Sequence, residues 1–128
     1  MINNVINLMM ENNIFKYQDN RSIVLVGMMG VGKTSIGKLL SSETILPFYD
    51  SDNEVELLLD LSISDIFKKY GENYFREKES EIFESLINKA QSVIASGGGA
   101  FINQKTQKNI KKKCISIWLR ANEETLLE

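Results

Sequence analysis

The chain has 128 residues, 43% of them apolar and 25% charged, the make-up of a single globular domain with a core of its own. Its net charge of −2 argues against a general binder of nucleic acid or anionic membranes, and no apolar run is long enough to span a bilayer. Histidine is absent, which excludes a histidine general base, a Ser-His-Asp triad and every histidine-ligated metal site, and the single cysteine leaves no internal disulfide to form.

Residues 1–20 are rich in asparagine and unlike the rest. Ile2, Val5, Ile6 and Met9 recur at helical spacing, so this extension reads either as a short docking helix or as a frayed tail. It lacks the basic segment, apolar core and cleavage site of an export signal, and a reducing cytoplasm is the expected compartment. From Arg21 onward strand and helix patterns alternate. The apolar run Ser22-Ile23-Val24-Leu25-Val26 predicts a buried strand over 22–27, and a helical pattern follows over 33–42. A strand is expected at 45–49, with Pro47 near its start, where a missing N–H is tolerated. Helices follow over 52–89. Ser62-x-x-Asp65 resembles a capping box, Gly71 closes a helix, and Ile82, Phe83, Leu86 and Ile87 make a buried stripe.

A strand at 92–96, a helix at 104–111 and a strand at 114–120 complete the pattern. Lys111-Lys112-Lys113 reads as a solvated helix end, and Cys114 as a buried strand residue. Alternation of this kind predicts an α/β domain over 21–128, its parallel sheet covered on both faces. A last helix from Asn122 has barely two turns and no closing signal, so the chain is expected to be the N-terminal portion of a longer domain. The strand carrying Ile115, Ile117 and Leu119 is then expected to be poorly covered on one side.

The most informative segment is Gly-Met-Met-Gly-Val-Gly-Lys-Thr at 27–34, which fits G-x-x-x-x-G-K-[ST] and lies between a strand and a helix. Glycines there let backbone N–H groups turn onto phosphate oxygens, and the helix start adds its positive dipole end. Gly30, Val31, Gly32, Lys33, Thr34 and Ser35 are therefore the expected nucleotide-binding residues. Lys33 can reach the β- and γ-phosphates, and the Thr34 hydroxyl can ligate Mg²⁺.

Three further features fall at the ends of predicted strands or helices. Asp50-Ser51-Asp52 offers two carboxylates for metal and substrate hydroxyl, or an ordinary helix cap. Arg76 can clamp a carboxylate or phosphate with Glu79 behind it, or the two can be a surface i,i+3 pair. Gly97, Gly98 and Gly99 permit close approach of a ligand, or form a flexible turn.

In their order and spacing, the phosphate loop, Phe48-Tyr49-Asp50-Ser51-Asp52, Ser64-Asp65-Ile66-Phe67, Gly71-Glu72, Phe75-Arg76-x-x-Glu79 and Ser96-Gly97-Gly98-Gly99-Ala100 resemble the shikimate kinases. Ile117-Trp118-Leu119 fits too, so the resemblance covers 21–128 and leaves 1–20 outside. It implies a P-loop NTPase fold of the nucleoside-monophosphate-kinase type, three layers α/β/α, with parallel strand order 2-3-1-4-5. It implies ATP and Mg²⁺ as cofactors, shikimate as the substrate, and a monomer when full length. By position, Lys33 and Asp52 take catalytic roles, and Asp52, Arg76, Gly97, Gly98 and Gly99 bind shikimate. Thr34 and Asp50 stand on the Mg²⁺ side, Asp50 through water. The family's arginine-rich lid, its later carboxylate-binding arginine, its adenine loop and its fifth strand have no counterpart in these residues. The expected function is phosphorylation of the shikimate 3-hydroxyl, with this stretch alone nearly inactive. A kinase for another hydroxy acid such as gluconate, and a non-catalytic ATP-binding module, are the alternatives.

Overall fold

The computed structural model describes residues 20–27, 32–97 and 103–119. The expected N-terminal helix, the helix from Asn122, and Gly30, Val31, Gly98 and Gly99 lie outside these residues. The described elements are β1 (Ile23–Gly27), α1 (Lys33–Thr44), β2 (Phe48–Asp50), α2 (Ser51–Leu59), α3 (Ile63–Tyr70), α4 (Glu72–Ile87), β3 (Val93–Ala95), α5 (Gln104–Lys113) and β4 (Ile115–Leu119). The strands form a sheet in the order β2-β3-β1-β4, every pairing parallel, as expected.

Alternation along the central strands sorts the core into two layers. Val24, Val26 and Ile94 face α4 and α5, where Phe83, Leu86, Ile110 and Cys114 meet them. Ile23, Leu25 and Val93 face α1, packing on Ile36 and Leu40. A third cluster of Val55, Ile66 and Phe75 joins α2, α3 and α4. Each of these fully buried aliphatic or aromatic side chains contributes about 1.5–3 kcal/mol relative to exposure. β4 is different: its residues are half-buried or exposed, and Trp118 stands 55% exposed.

Local signals hold where side chains decide them. Ser62 caps α3, accepting from Asp65 N at 3.1 Å, and Gly71 closes it. Boundaries shift by one to three residues in several elements, and two of these shifts show their local cause. Ile45 ends α1 in the left-handed region at φ 58, so β2 starts only at Phe48 rather than at 45. Cys114 is buried as expected but caps the end of α5, one residue before β4. Burial pushes its thiol up to about 11.

Candidate active site

The site lies at the carboxyl ends of β1, β2 and β3, where an open parallel sheet binds its ligands. β1 stops at Gly27, and α1 begins at Lys33 after Gly32. Gly32 has φ 84, a conformation that a side chain disfavours, and it turns the chain into the helix. Asp50, Ser62 and Asn103 each cap a helix through their side chains, whereas α1 and α4, which follow Gly32 and Gly71, have no side-chain cap. Its first helical bond is Ile36 N to Gly32 O at 2.9 Å, so the amides of Lys33, Thr34 and Ser35 precede the ladder. An uncapped N-terminus of this kind attracts anionic oxygen. Lys33 is half-buried and donates from Nζ to Gly27 O at 2.5 Å, bridging the two ends of the loop. Burial lowers its pKa, while Asp52 and then Asp50 raise it.

Asp50 is the helix cap that its sequence context allowed, and it makes a second contact besides. Its Oδ1 accepts from Asp52 N at 3.0 Å and Asn53 N at 3.3 Å, capping α2. Its Oδ2 accepts from Thr34 Oγ1 at 3.5 Å, which links the acidic corner to the phosphate loop. Asp52, two residues on, is half-buried. Burial and then the Asp50 charge hold its carboxyl above the usual range; Lys33 and Arg76 pull it back, and Glu56 adds to the rise.

β3 brings Gly97 to the same corner, because Ala95 pairs with Asp50 across the sheet. Gly97 is buried, and a Cβ built there would overlap the Asp52 carboxylate. Glycine at this position therefore answers a close approach, not merely a turn. Its amide donates to Ser51 Oγ at 2.8 Å.

Arg76 comes from the second turn of α4. Its Nη1 meets Glu79 Oε1 at 3.1 Å and its Nη2 meets Glu72 Oε1 at 3.6 Å. The reading as an ordinary surface pair does not hold, because the Glu79 side chain is 0% exposed. Burial raises Glu79 to about 6, against the pull of Arg76. Glu79 Oε2 and Arg76 Nε are buried without a hydrogen-bond partner, which leaves the pair one-sided. Arg76 also lines an open cleft of about 440 Å³ between α4 and the start of α5, with Asn73, Glu77, Ser80 and Asn103 among its neighbours. Asn103 ties the two helices, donating from Nδ2 to Arg76 O at 3.3 Å.

Lys33, Asp50, Asp52, Arg76 and Glu79 are thus within electrostatic reach of one another, although they come from separate elements. Ser35 is exposed in the first turn of α1. Among the described residues no cluster of three or more acidic or cysteine side chains is arranged to hold a metal. Ser51, buried at this corner with its hydroxyl on the Gly97 amide, was not among the expected site residues. Its only sequence signal is a hydroxyl between two aspartates at a strand-to-helix junction.

A parallel α/β sheet, a helix after β1 whose first lysine reaches back to the Gly27 carbonyl, and carboxylates at the end of a strand in the same sheet define the P-loop kinase class. The family model for shikimate kinase matches residues 29–128. The chain is 43% identical over 118 residues to the shikimate kinase of Bartonella henselae, covering 92% of this chain and 56% of that protein. It is 47% identical over 108 residues to that of Zymomonas mobilis, covering 84% and 61%. A solved shikimate kinase from Acinetobacter baumannii in complex with shikimate superposes with a TM-score of 0.80 at 34% identity, covering 88% of this chain and 63% of the other. The chain belongs to the shikimate kinase family, and it spans little more than half the length of the curated relatives it matches.

Proposed function

We propose that the protein is an ATP-dependent kinase that transfers a phosphoryl group to the 3-hydroxyl of shikimate, giving shikimate 3-phosphate and ADP. The observation that carries this reading is the meeting of Lys33, Asp52 and Arg76 at one sheet end, with the uncapped start of α1 beside them. Phosphoryl transfer requires mainly positioning and charge stabilisation, and the corner offers both.

In this reading the amides of 30–35 and Lys33 hold the β- and γ-phosphates. Arg76, steadied by Glu79, holds the shikimate carboxylate. The Gly97–Gly99 run offers backbone at close range to the ring. Asp52 orients the 3-hydroxyl and takes its proton as the oxygen bonds to the γ-phosphorus and the bond to the β–γ bridging oxygen breaks. Its raised pKa makes it a better base than an exposed aspartate. Thr34 Oγ1 and Asp50 Oδ2, 3.5 Å apart, are the sparse all-oxygen set that suits Mg²⁺, with Asp50 acting through water. Bound there, Mg²⁺ would offset negative charge on the phosphates. The full-length protein is a monomer in this reading and works in the cytoplasm, a compartment that suits a chain with one cysteine.

A coupled ADP-release assay tests the reading, with mass spectrometry of the acceptor. Shikimate-dependent ADP release with one phosphate added to shikimate is expected. ADP release indifferent to shikimate, or gluconate as the preferred acceptor, would sink it.

A further inference from the structure

We propose that Ser51 is a positioning residue for shikimate: its hydroxyl fixes Gly97 against Asp52 and so sets the distance between that backbone and the acid. The inference rests on the reading of this corner as the shikimate site. It starts from a hydroxyl with no other duty. Ser51 opens α2, where a serine would ordinarily be explained as a cap, but Asp50 already caps that helix through Oδ1. Ser51 is nevertheless 0% exposed. A buried hydroxyl at such a place needs a partner, and the partner is the Gly97 amide at 2.8 Å.

The topology says why this bond is needed. β2 and β3 pair through Phe48–Val93, Tyr49–Ile94 and Asp50–Ala95, and there β2 ends because α2 begins. Beyond Ala95 the next residues of β3's path have no strand on that side. On the other side, Ser96 is tied to β1, its N and Oγ both donating to Leu25 O at 3.0 and 2.8 Å. Ser51 Oγ supplies on the α2 side an acceptor that a continued strand would otherwise offer. The Gly97 backbone is thereby held from both flanks.

That hold reaches the chemistry through volume. The space where a Gly97 side chain would stand is filled by the Asp52 carboxylate. A shift of Gly97 by a few tenths of an ångström must move that carboxylate or open a gap beside it. Ser51 thus acts through two neighbours, the Gly97 backbone and the acid that follows Ser51 itself. The amides of Lys33 and Thr34 do not depend on it.

Calorimetry on the parent, Ser51→Ala and Ser51→Thr with shikimate and with Mg-ATP, beside thermal melts and amide hydrogen exchange, tests this. Ser51→Ala is expected to weaken shikimate about fivefold and keep Mg-ATP affinity within about twofold, with Gly97 amide exchange about tenfold faster. Ser51→Thr, which keeps the oxygen, is expected to recover most of the shikimate affinity. Unchanged shikimate affinity in Ser51→Ala, unchanged Gly97 exchange, or loss of both affinities in step with melting temperature would overturn the proposal. A parent that binds no shikimate would overturn the substrate reading and this inference with it, whereas a parent that binds and an alanine variant that binds equally would overturn the inference alone.

Discussion

The two halves of the proposed site, one for phosphate and one for the acceptor, are built on different plans. The phosphate half is one continuous segment, from Gly27 at the end of β1 to Thr34 in the first turn of α1, closed by the Lys33–Gly27 bond. The acceptor half is assembled from α2, α4 and the end of β3, with Asp52, Arg76 and Gly97 brought in from distant parts of the chain. In the proposed reading the first half works through backbone amides and a helix end, which depend on local conformation. The second works through side chains whose positions depend on packing between elements. A substitution in the first half should therefore act on nucleotide alone. One in the second should act on the acceptor and be felt by its neighbours.

The largest effect is expected from Asp52→Asn. It removes the proton acceptor, and kcat for shikimate should fall on the order of 10²–10⁴-fold with Mg-ATP affinity nearly unchanged. A variant with near-parental kcat would break the assignment of the acid to the acceptor half. Next is Lys33→Ala, for which kcat should fall on the order of 10²–10³-fold with weakened nucleotide and little change in shikimate affinity. Equal nucleotide affinity in parent and variant, read by calorimetry, would take Lys33 out of the phosphate half.

Gly97→Ala is expected to have a middling effect, since its methyl group must displace the Asp52 carboxylate. Such overpacking costs about 1–3 kcal/mol, so shikimate KM should rise roughly tenfold while the KM for ATP stays put. A matched rise in both would mean that the halves are coupled more tightly than the described contacts suggest.

The smallest effect concerns pH. Glu79 is raised from 4.5 to about 6 in the fold, so the folded state binds this proton more readily than the unfolded chain. The stability it contributes is fully present below pH 4.5 and is lost as pH rises through about 6, a change of about 2 kcal/mol. Binding should run the opposite way, because the charged carboxylate is what steadies Arg76. Shikimate affinity is expected to fall a few-fold between pH 7 and pH 5.5. Glu79→Gln should flatten both trends, seen in melts and in titrations as a difference between variant and parent that changes as pH passes through about 6. Persistence of the affinity step in Glu79→Gln would assign it to Asp52 instead.

Much of this was legible before any coordinates. The alternation of patterns gave the parallel α/β order, and the Ser62 cap and the Gly71 stop appear as written. Elements whose ends are decided by packing were less legible. The β2 boundary moved from 45 to Phe48 because Ile45 closes α1 with a positive φ, which no apolar pattern announces in an isoleucine. Glu79 read more readily as a surface partner, since i,i+3 spacing is the same on either face of a helix; only the packing of α4 in the folded domain buries it.

The sequence by itself marked the proposed phosphate half, because G-x-x-x-x-G-K-[ST] works through the backbone of neighbouring residues and needs no distant partner. It also marked Asp50, Asp52, Arg76 and Gly97 as candidates through their places at strand and helix ends. Only the tertiary structure decided how they combine. It divides the oxygens of Asp50 between a helix cap and Thr34, buries Glu79 behind Arg76, and sets Ser51 on the Gly97 amide. Those outcomes turn on which groups meet across the sheet end, and burial, which shifts the charges there, belongs to the packed assembly rather than to any one residue.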